Sequence, residues 1–349
     1  MSFRALVLAA GLGTRLRPLT ESAPKPLLPV AGLPILGHTL AQLAAAGCAA
    51  AAVNLHHHGD QIRRRFGESF AGMPLAYSDE PELLGTLGAL YPLREFLGEA
   101  DQVMLVNGDS LCRWPLRRLL RAHLSAGSGE PPAATLLLTS RPDPQRFGGG
   151  VGVDARGDVV SFRPGDAERT PAVRRHVFAG AHVLARELLE RVGPGVSDTV
   201  RDLYTPLLAE GRRIATVVSG RAWHDLGTPR RFLEATLEWA QADWPERLWR
   251  RAWVSREAVL GSGVRLKGAS LEPGARLGDK VTLERAVLLP GAQVGSGSTL
   301  RDVIVGPGAV VPPGSWVERR VVTAWQDGRP RGLDDSVVGG VVYTPFGEE

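Results

Sequence analysis

A short apolar run, Ala5 to Leu8, leads into Gly11-Leu12-Gly13-Thr14-Arg15, and Lys25 follows ten residues after the arginine. Two glycines allow a tight turn whose backbone N–H groups converge, and such a concave set of donors flanked by cations suits a phosphate. Neither of the two common phosphate loops is present. Leu16 stands where a dinucleotide fingerprint has its third glycine, and no Gly-Lys-Ser/Thr ending follows. On these residues alone the loop is an anion-binding turn or an ordinary strand-to-helix turn. Lys25 is one of only three lysines among 41 basic residues, with Lys267 and Lys280. A compact ammonium therefore stands where this chain elsewhere uses a planar guanidinium. Asn107-Gly108-Asp109 directly follows an apolar run, as the Gly11 loop does, and Trp223 to Pro229 carries a second carboxylate, Asp225. Taken singly, each Asp reads first as a turn or cap residue.

The elements that must position these groups alternate. Apolar runs at Ala5 to Leu8, Ala49 to Val53, Gln102 to Val106, Ala134 to Thr139 and Ile214 to Val218 are expected as strands. Ile35 to Ala46, Gln61 to Phe66, Leu116 to Ala126 and Arg186 to Val192 are expected as helices. This is the rhythm of an α/β sheet with crossover helices, and it puts the Gly11 loop and Asp109 each directly after a strand. In an open α/β sheet the carboxyl ends of the strands are where ligands bind.

From Val254 the period changes. Apolar residues recur at Val254, Leu260, Leu266, Leu271, Leu277, Leu283, Leu288, Val294, Leu300, Val305, Val311 and Val317, with Gly between them. No helix has steps of six, six and five. Inward residues at this spacing stack as the short strands of a parallel β-helix with three faces to a coil. The chain is thus expected to divide into an α/β domain at 1–235, a connecting helical segment at 236–252 with Trp239, Trp244 and Trp249, a β-helix at 253–318 and a tail at 319–349 that packs on or beyond it.

The run Leu8 to Pro29, LAAGLGTRLRPLTESAPKPLLP, resembles the signature of the sugar-nucleotide pyrophosphorylases, a nucleotidyltransferase family, with nearly every fixed position filled. Val30 to Ile35 continues the likeness. Glu80 with Leu84 to Leu90 is similar to the family's nucleobase loop, Asn107-Gly108-Asp109 to its metal-binding Gly-Asp, and Trp223 to Pro229 to its Trp-x-Asp-x-Gly-Thr-Pro segment. The resemblance implies a Rossmann-like, doubly wound nucleotidyltransferase domain followed by a left-handed β-helix of hexapeptide repeats. It implies in-line attack of a sugar 1-phosphate on the α-phosphorus of a nucleoside triphosphate, with Mg²⁺ as cofactor held by Asp109 and Asp225. Arg15 and Lys25 would contact the phosphates. Leu8, Ala9, Ala10, Gly11, Gly13, Thr14, Glu80, Gly85, Thr86 and Gly108 would border the nucleotide, and Gly149, Arg163 and Gly180 the sugar phosphate. Arg163 stands in Phe162-Arg163-Pro164, where many relatives have Glu-Lys-Pro. The Leu84 to Leu90 loop is closer to the guanylyltransferase branch that makes GDP-mannose, with uridylyl or thymidylyl transfer to another sugar and a non-catalytic nucleotide-sugar sensor as alternatives.

Other features argue against competing classes. Cys48 and Cys112 lie in apolar surroundings and are expected as buried small hydrophobes. His56, His57 and His58 are adjacent, so their side chains diverge and no fourth ligand is near; a loop at the sheet edge is expected. All eight His lie at or before position 224, so the β-helix lacks the general base of an acyltransferase. The Arg clusters at 63–65 and 117–121 belong to amphipathic helices, so no nucleic-acid partner is expected. No apolar stretch reaches membrane-spanning length, and nothing at the N-terminus has signal-peptide flanks, so a cytoplasmic protein without membrane contact is expected, as a homo-oligomer.

Overall fold

The computed structural model describes residues 2–125, 130–163, 172–242, 252–325, 332 and 334–347. By compactness the chain forms two units that do not follow chain order. One comprises Met1–Gly11 and Leu36–Trp223; the other comprises Leu12–Ile35 and His224–Glu349. Gly13, Arg15 and Lys25 therefore belong to the same unit as the C-terminal coils, and Gly11 to the other.

The first unit is built on β1 (Phe3–Leu8), β2 (Ala50–Leu55), β3 (Met73–Asp79), β4 (Gln102–Asn107), β5 (Ala134–Thr139), β6 (Arg174–Ala185) and β7 (Ile214–Ser219). β4, β1, β2 and β3 are parallel neighbours in that order. Next to β4 lies β6, which runs antiparallel to it and to β5, while β7 is parallel to β5. The result is a mixed, mainly parallel sheet. Its central strands read Ala-Leu-Val, Ala-Ala-Val and Val-Met-Leu-Val because both faces are covered, and Leu6, Ala52, Val103 and Leu105 are fully buried.

Five strands lie where the sequence places them. β3 and β6 are additional: Met-Pro-Leu-Ala-Tyr-Ser-Asp has no clean alternation, and the twelve residues of β6 begin with two Arg and carry Gly180. The expected helix at Ile35–Ala46 forms with those bounds, whereas Arg186–Arg191 is a 3₁₀ turn. Cys48 and Cys112 are free and buried, and burial pushes both thiols up to about 12, which leaves them unreactive.

In the second unit, strands Ala252–Val254, Arg265–Leu271, Thr282–Leu288, Thr299–Val305 and Trp316–Ala324 pair in parallel, each shifted by 17 residues from the last, as in Ala269↔Ala286 and Ala286↔Val303. A second parallel sheet joins Val259–Leu260, Arg276–Leu277, Gln293–Val294 and Val310–Val311. Steps of six, six and five residues sum to this coil length. Corners recur at the same interval with positive φ: Gly263, Lys280, Gly297 and Gly314 form one series, and Gly268, Arg285, Asp302 and Arg319 another. Inside, Leu271, Leu288, Val305 and Val322 stack with no exposure at all. Helix α1, Pro229–Ala242, packs along these coils with Trp239 buried. Trp244, Pro245 and Trp249 lie outside the described residues. At the far end Val341–Pro345 pairs antiparallel with Trp316–Ala324. Among the described residues no helix is long and apolar enough to cross a membrane.

Candidate active site

One set of the candidate residues lies in the second unit. Gly13 has φ +62, and its carbonyl accepts from Leu16 N–H at 3.0 Å and from the Thr20 hydroxyl at 2.8 Å. A Cβ there would lie 3.2 Å from Thr20 Cγ2 and 3.3 Å from Lys25 Cβ, so only glycine lets the loop close over both. Thr14 and Arg15 enter a 3₁₀ turn, Thr14–Leu16, and Lys25 opens another, Lys25–Leu27. Lys25 is 6% exposed, an enclosed position for an ammonium.

Asp225 belongs to the same unit. A Cβ on Gly227 would sit 3.1 and 3.2 Å from the two Asp225 carboxylate oxygens and 3.3 Å from an Arg15 guanidinium nitrogen. The missing side chain at Gly227 thus leaves bare backbone to which both the Asp225 carboxylate and Arg15 are close. Asp225 Oδ2 also accepts from Arg231 at 2.7 Å. The local sequence explains this pairing. Thr228 caps α1 through its hydroxyl to Arg231 N–H at 3.3 Å and Pro229 takes the first helical position, so Arg231 falls in the first turn facing back to Asp225.

A second set lies in the first unit, at the carboxyl ends of β1, β2 and β4. Gly108 N–H donates to Leu8 C=O at 2.9 Å, and a Cβ on Gly108 would meet Val7, Leu8 and Ala9 at 2.9 to 3.3 Å. Gly108 thereby brings Asp109 against the end of β1, at the mouth of the Ala9-Ala10-Gly11 turn. Ala9 N–H donates to Asn54 Oδ1 at 2.7 Å, and Asn54 Nδ2 donates to Glu80 Oε1 at 2.8 Å. The second Glu80 oxygen accepts from Leu84 N–H at 3.1 Å, so this buried carboxylate ties the Gly-rich turn to the 84–88 loop. Gly85 has φ +77 and its Cα faces Ser197 C=O, where a Cβ would approach to 2.5 Å. Thr86 Oγ1 contacts Asp198 Oδ2 and accepts from Thr199 N–H at 2.9 Å.

Elsewhere in the first unit Gly148, Gly149 and Gly150 all have positive φ, and Arg175 clamps them by donating to Gly149 C=O and Gly150 C=O, each at 2.8 Å. Gly180 sits at the bulge of β6, with φ +78 and its Cα against the Asn107 side chain. Arg163 is exposed at the last described residue before position 164. Phe147 and Trp223 meet edge to face at 5.2 Å.

Residues 4–242, more than half of the chain, match the family described as Nucleotidyl transferase. A mannose-1-phosphate guanylyltransferase of Mycobacterium tuberculosis is 35% identical over 286 residues, 78% of this chain and 77% of that protein. The mannose-1-phosphate guanylyltransferase catalytic subunit beta of Drosophila pseudoobscura pseudoobscura is 31% identical, over 66% of this chain and 60% of its own length. That of Xenopus tropicalis is 29% identical, over 68% of this chain and 65% of its own length. The chain belongs to the sugar-nucleotide pyrophosphorylases.

As a sugar-nucleotide pyrophosphorylase it is a nucleotidyltransferase, and the family generally uses a divalent metal. Among the described residues no three His, Cys, Asp or Glu side chains gather into a cage. What the chain offers is carboxylate oxygen, a donor set that fits Mg²⁺, which keeps water and substrate phosphates in most of its coordination positions. His56 Nδ1 is engaged with Glu80 C=O at 2.7 Å, while the rings of His57 and His58 lie 3.9 Å apart.

Arg231, Thr20, Asn54 and Arg175 were not legible as site residues. Each acts by holding another group, and only Arg231 left a trace in the sequence, as a cation one turn into the helix that follows Gly-Thr-Pro.

Proposed function

We propose that this chain is a mannose-1-phosphate guanylyltransferase, joining GTP and mannose 1-phosphate to GDP-mannose and pyrophosphate. The observation that carries the chemistry is that the Asp225 carboxylate and Arg15 both lie close to the bare backbone of Gly227, in the same unit as Lys25. The choice of guanine and mannose rests on the relatives, whose names specify both.

An oxygen of the sugar 1-phosphate attacks the α-phosphorus in line. The new P–O bond forms as the bond to the α,β-bridging oxygen breaks, and the electron pair leaves with pyrophosphate. No protein nucleophile is needed, so catalysis is alignment of two anions and neutralisation of the charge that develops on their oxygens. Arg15 holds the β- and γ-phosphates and Lys25 the reacting phosphate. Asp109 and Asp225 would hold Mg²⁺, which would supply positive charge at the phosphate oxygens. Leu8 to Gly11, Gly13, Thr14, Gly85 and Gly108 border the nucleotide. Glu80 and Thr86 act through the shape of their loop, because their side-chain oxygens are engaged within the protein. Gly149, Arg163 and Gly180 border the sugar phosphate.

We read the coil as left-handed, on its resemblance to hexapeptide-repeat proteins and the recurring positive-φ corners. The enzyme acts as a cytoplasmic homo-oligomer, in keeping with its two unpaired thiols. The test is pyrophosphate release with Mg²⁺ from GTP, UTP, dTTP and ATP, each paired with mannose, glucose and glucosamine 1-phosphates. GTP with mannose 1-phosphate is expected to give the highest kcat/KM. A higher value for UTP or dTTP with another sugar would reassign the substrate, and no turnover from any pair would refute the reaction.

A further inference from the structure

One side chain of the coils performs no task that the coils require. Glu272 is completely buried, follows Leu271 at the end of a long strand, and carries a carboxylate whose desolvation is costly. Stacking does not call for it: the positions 17 and 34 residues later are Leu289, also fully buried, and Gly306. Its partner Ser270, whose hydroxyl donates to Glu272 Oε1 at 3.3 Å, is likewise followed by Val287, Ile304 and Val321, all fully buried. Of the fully buried side chains on these two ladders only Ser270 and Glu272 are polar; Ser255 and Thr323, at the ends of the Glu272 ladder, are half-buried.

What faces them there is the segment that carries the phosphate contacts. Pro29–Val30 and Leu33–Pro34 form a two-residue hairpin whose turn residues, Ala31 and Gly32, have φ of 50° and 84°, the left-handed pair that such turns require. Gly32 N–H donates to Glu272 Oε2 at 2.9 Å, and the backbone of Ala31 is a second donor to the carboxylate. Trp253, one coil before Ser270, lies against Gly32, where a Cβ would come within 2.9 Å of its ring. From the hairpin the connection to Lys25 is short and rigid. Ile35 N–H donates to Leu28 C=O and Leu28 N–H donates to Lys25 C=O, both at 3.0 Å, and Lys25 Cβ packs against Gly13.

We propose that Glu272 is a positioning residue for the triphosphate: by gripping the Ala31–Gly32 turn, it fixes the segment that carries Lys25 and Gly13. The inference rests on the assignment of that segment to nucleotide binding. It gives the coils a part in catalysis that stacking alone does not.

Glu272→Leu is the informative variant, because Leu289 already occupies the equivalent place in the next coil and the β-helix accommodates it. In the full-length chain the variant is expected to melt no lower than the wild type. Amide hydrogen exchange over residues 25–34 should rise, and GTP binding in the presence of Mg²⁺ should weaken about tenfold. In turnover, KM for GTP should rise while KM for mannose 1-phosphate stays put. Glu272→Gln, which keeps one carbonyl acceptor for the turn, should recover part of the affinity. Unchanged exchange in Glu272→Leu overturns the proposal, as does unchanged GTP binding or an equal rise in both KM values. A wild-type chain that binds GTP but turns over no sugar phosphate would count against the reaction, and the exchange and binding comparison still decides the role of Glu272.

Discussion

Lys25 is the residue whose chemistry and position agree most closely. It is nearly buried, its Cβ touches the space that Gly13 leaves open, and it is one of three lysines in an arginine-rich chain. A guanidinium is larger and planar, so Lys25→Arg keeps the charge but not the fit. We expect that variant to lose at least tenfold in kcat/KM for GTP, measured by pyrophosphate release, with its melting temperature preserved. Arg231 makes a second case. It acts on Asp225 rather than on substrate, and groups that orient a metal-binding carboxylate are commonly worth about 10- to 100-fold in metal affinity or activity. Arg231→Leu should therefore raise the Mg²⁺ concentration needed for half-maximal rate, and an unchanged Mg²⁺ dependence would contradict its role. Asp225, Arg15 and Lys25 were readable because a dense motif names them. Arg231, Thr20 and Asn54 were not, because an orienting residue has no fixed spacing: any side chain that reaches the right oxygen will serve.

At the scale of elements, glycines decide how close the loops can come. The 84–88 loop docks on residues 195–199 through Leu87 N–H to Ser197 C=O and Ser197 N–H to Leu84 C=O, both at 3.0 Å. Gly85 lies between them with a left-handed φ, and a Cβ at 2.5 Å from Ser197 O must push the loop off. Gly85→Ala should weaken nucleotide binding by about tenfold, in line with a cost of about 1–3 kcal/mol for strain of this kind. Isothermal titration with GTP would measure it. The strands that lead to the site were legible because burial on both faces forces unbroken apolar runs. β6 was not: its partners lie on both edges, but Gly180 and two leading arginines interrupt its pattern just where it must bulge around Asn107. The coil length of 17 was visible in the steps of the apolar ladder, since each inward side chain stacks on its equivalent one turn later.

For the whole molecule, two sets of buried groups give stability opposite pH slopes. His123 and His182 are held neutral by burial, their pKa values lowered to about 4 and about 3. The unfolded chain takes up protons on both below about 6.5 while the folded chain does not, so stability falls as pH drops through that range. Glu272, raised to about 7, works the other way: the folded chain holds a proton that the unfolded chain has released, so stability falls as pH rises from about 4.5 to 7. Removing it by Glu272→Leu leaves the histidines unopposed. The melting temperature of that variant should climb more steeply between pH 5 and 6.5 than that of the wild type, as scanning calorimetry would record.

The grouping of Leu12–Ile35 with the coils was not readable from the chain order, because it depends on contacts such as Glu272 to Gly32 across 240 residues of sequence. Nucleotidyl transfer over two carboxylates nevertheless stands or falls on a single comparison. Pyrophosphate release from GTP and mannose 1-phosphate at saturating Mg²⁺ should drop at least about 100-fold in both Asp109→Ala and Asp225→Ala, with folding retained. Wild-type turnover in either variant would contradict the account.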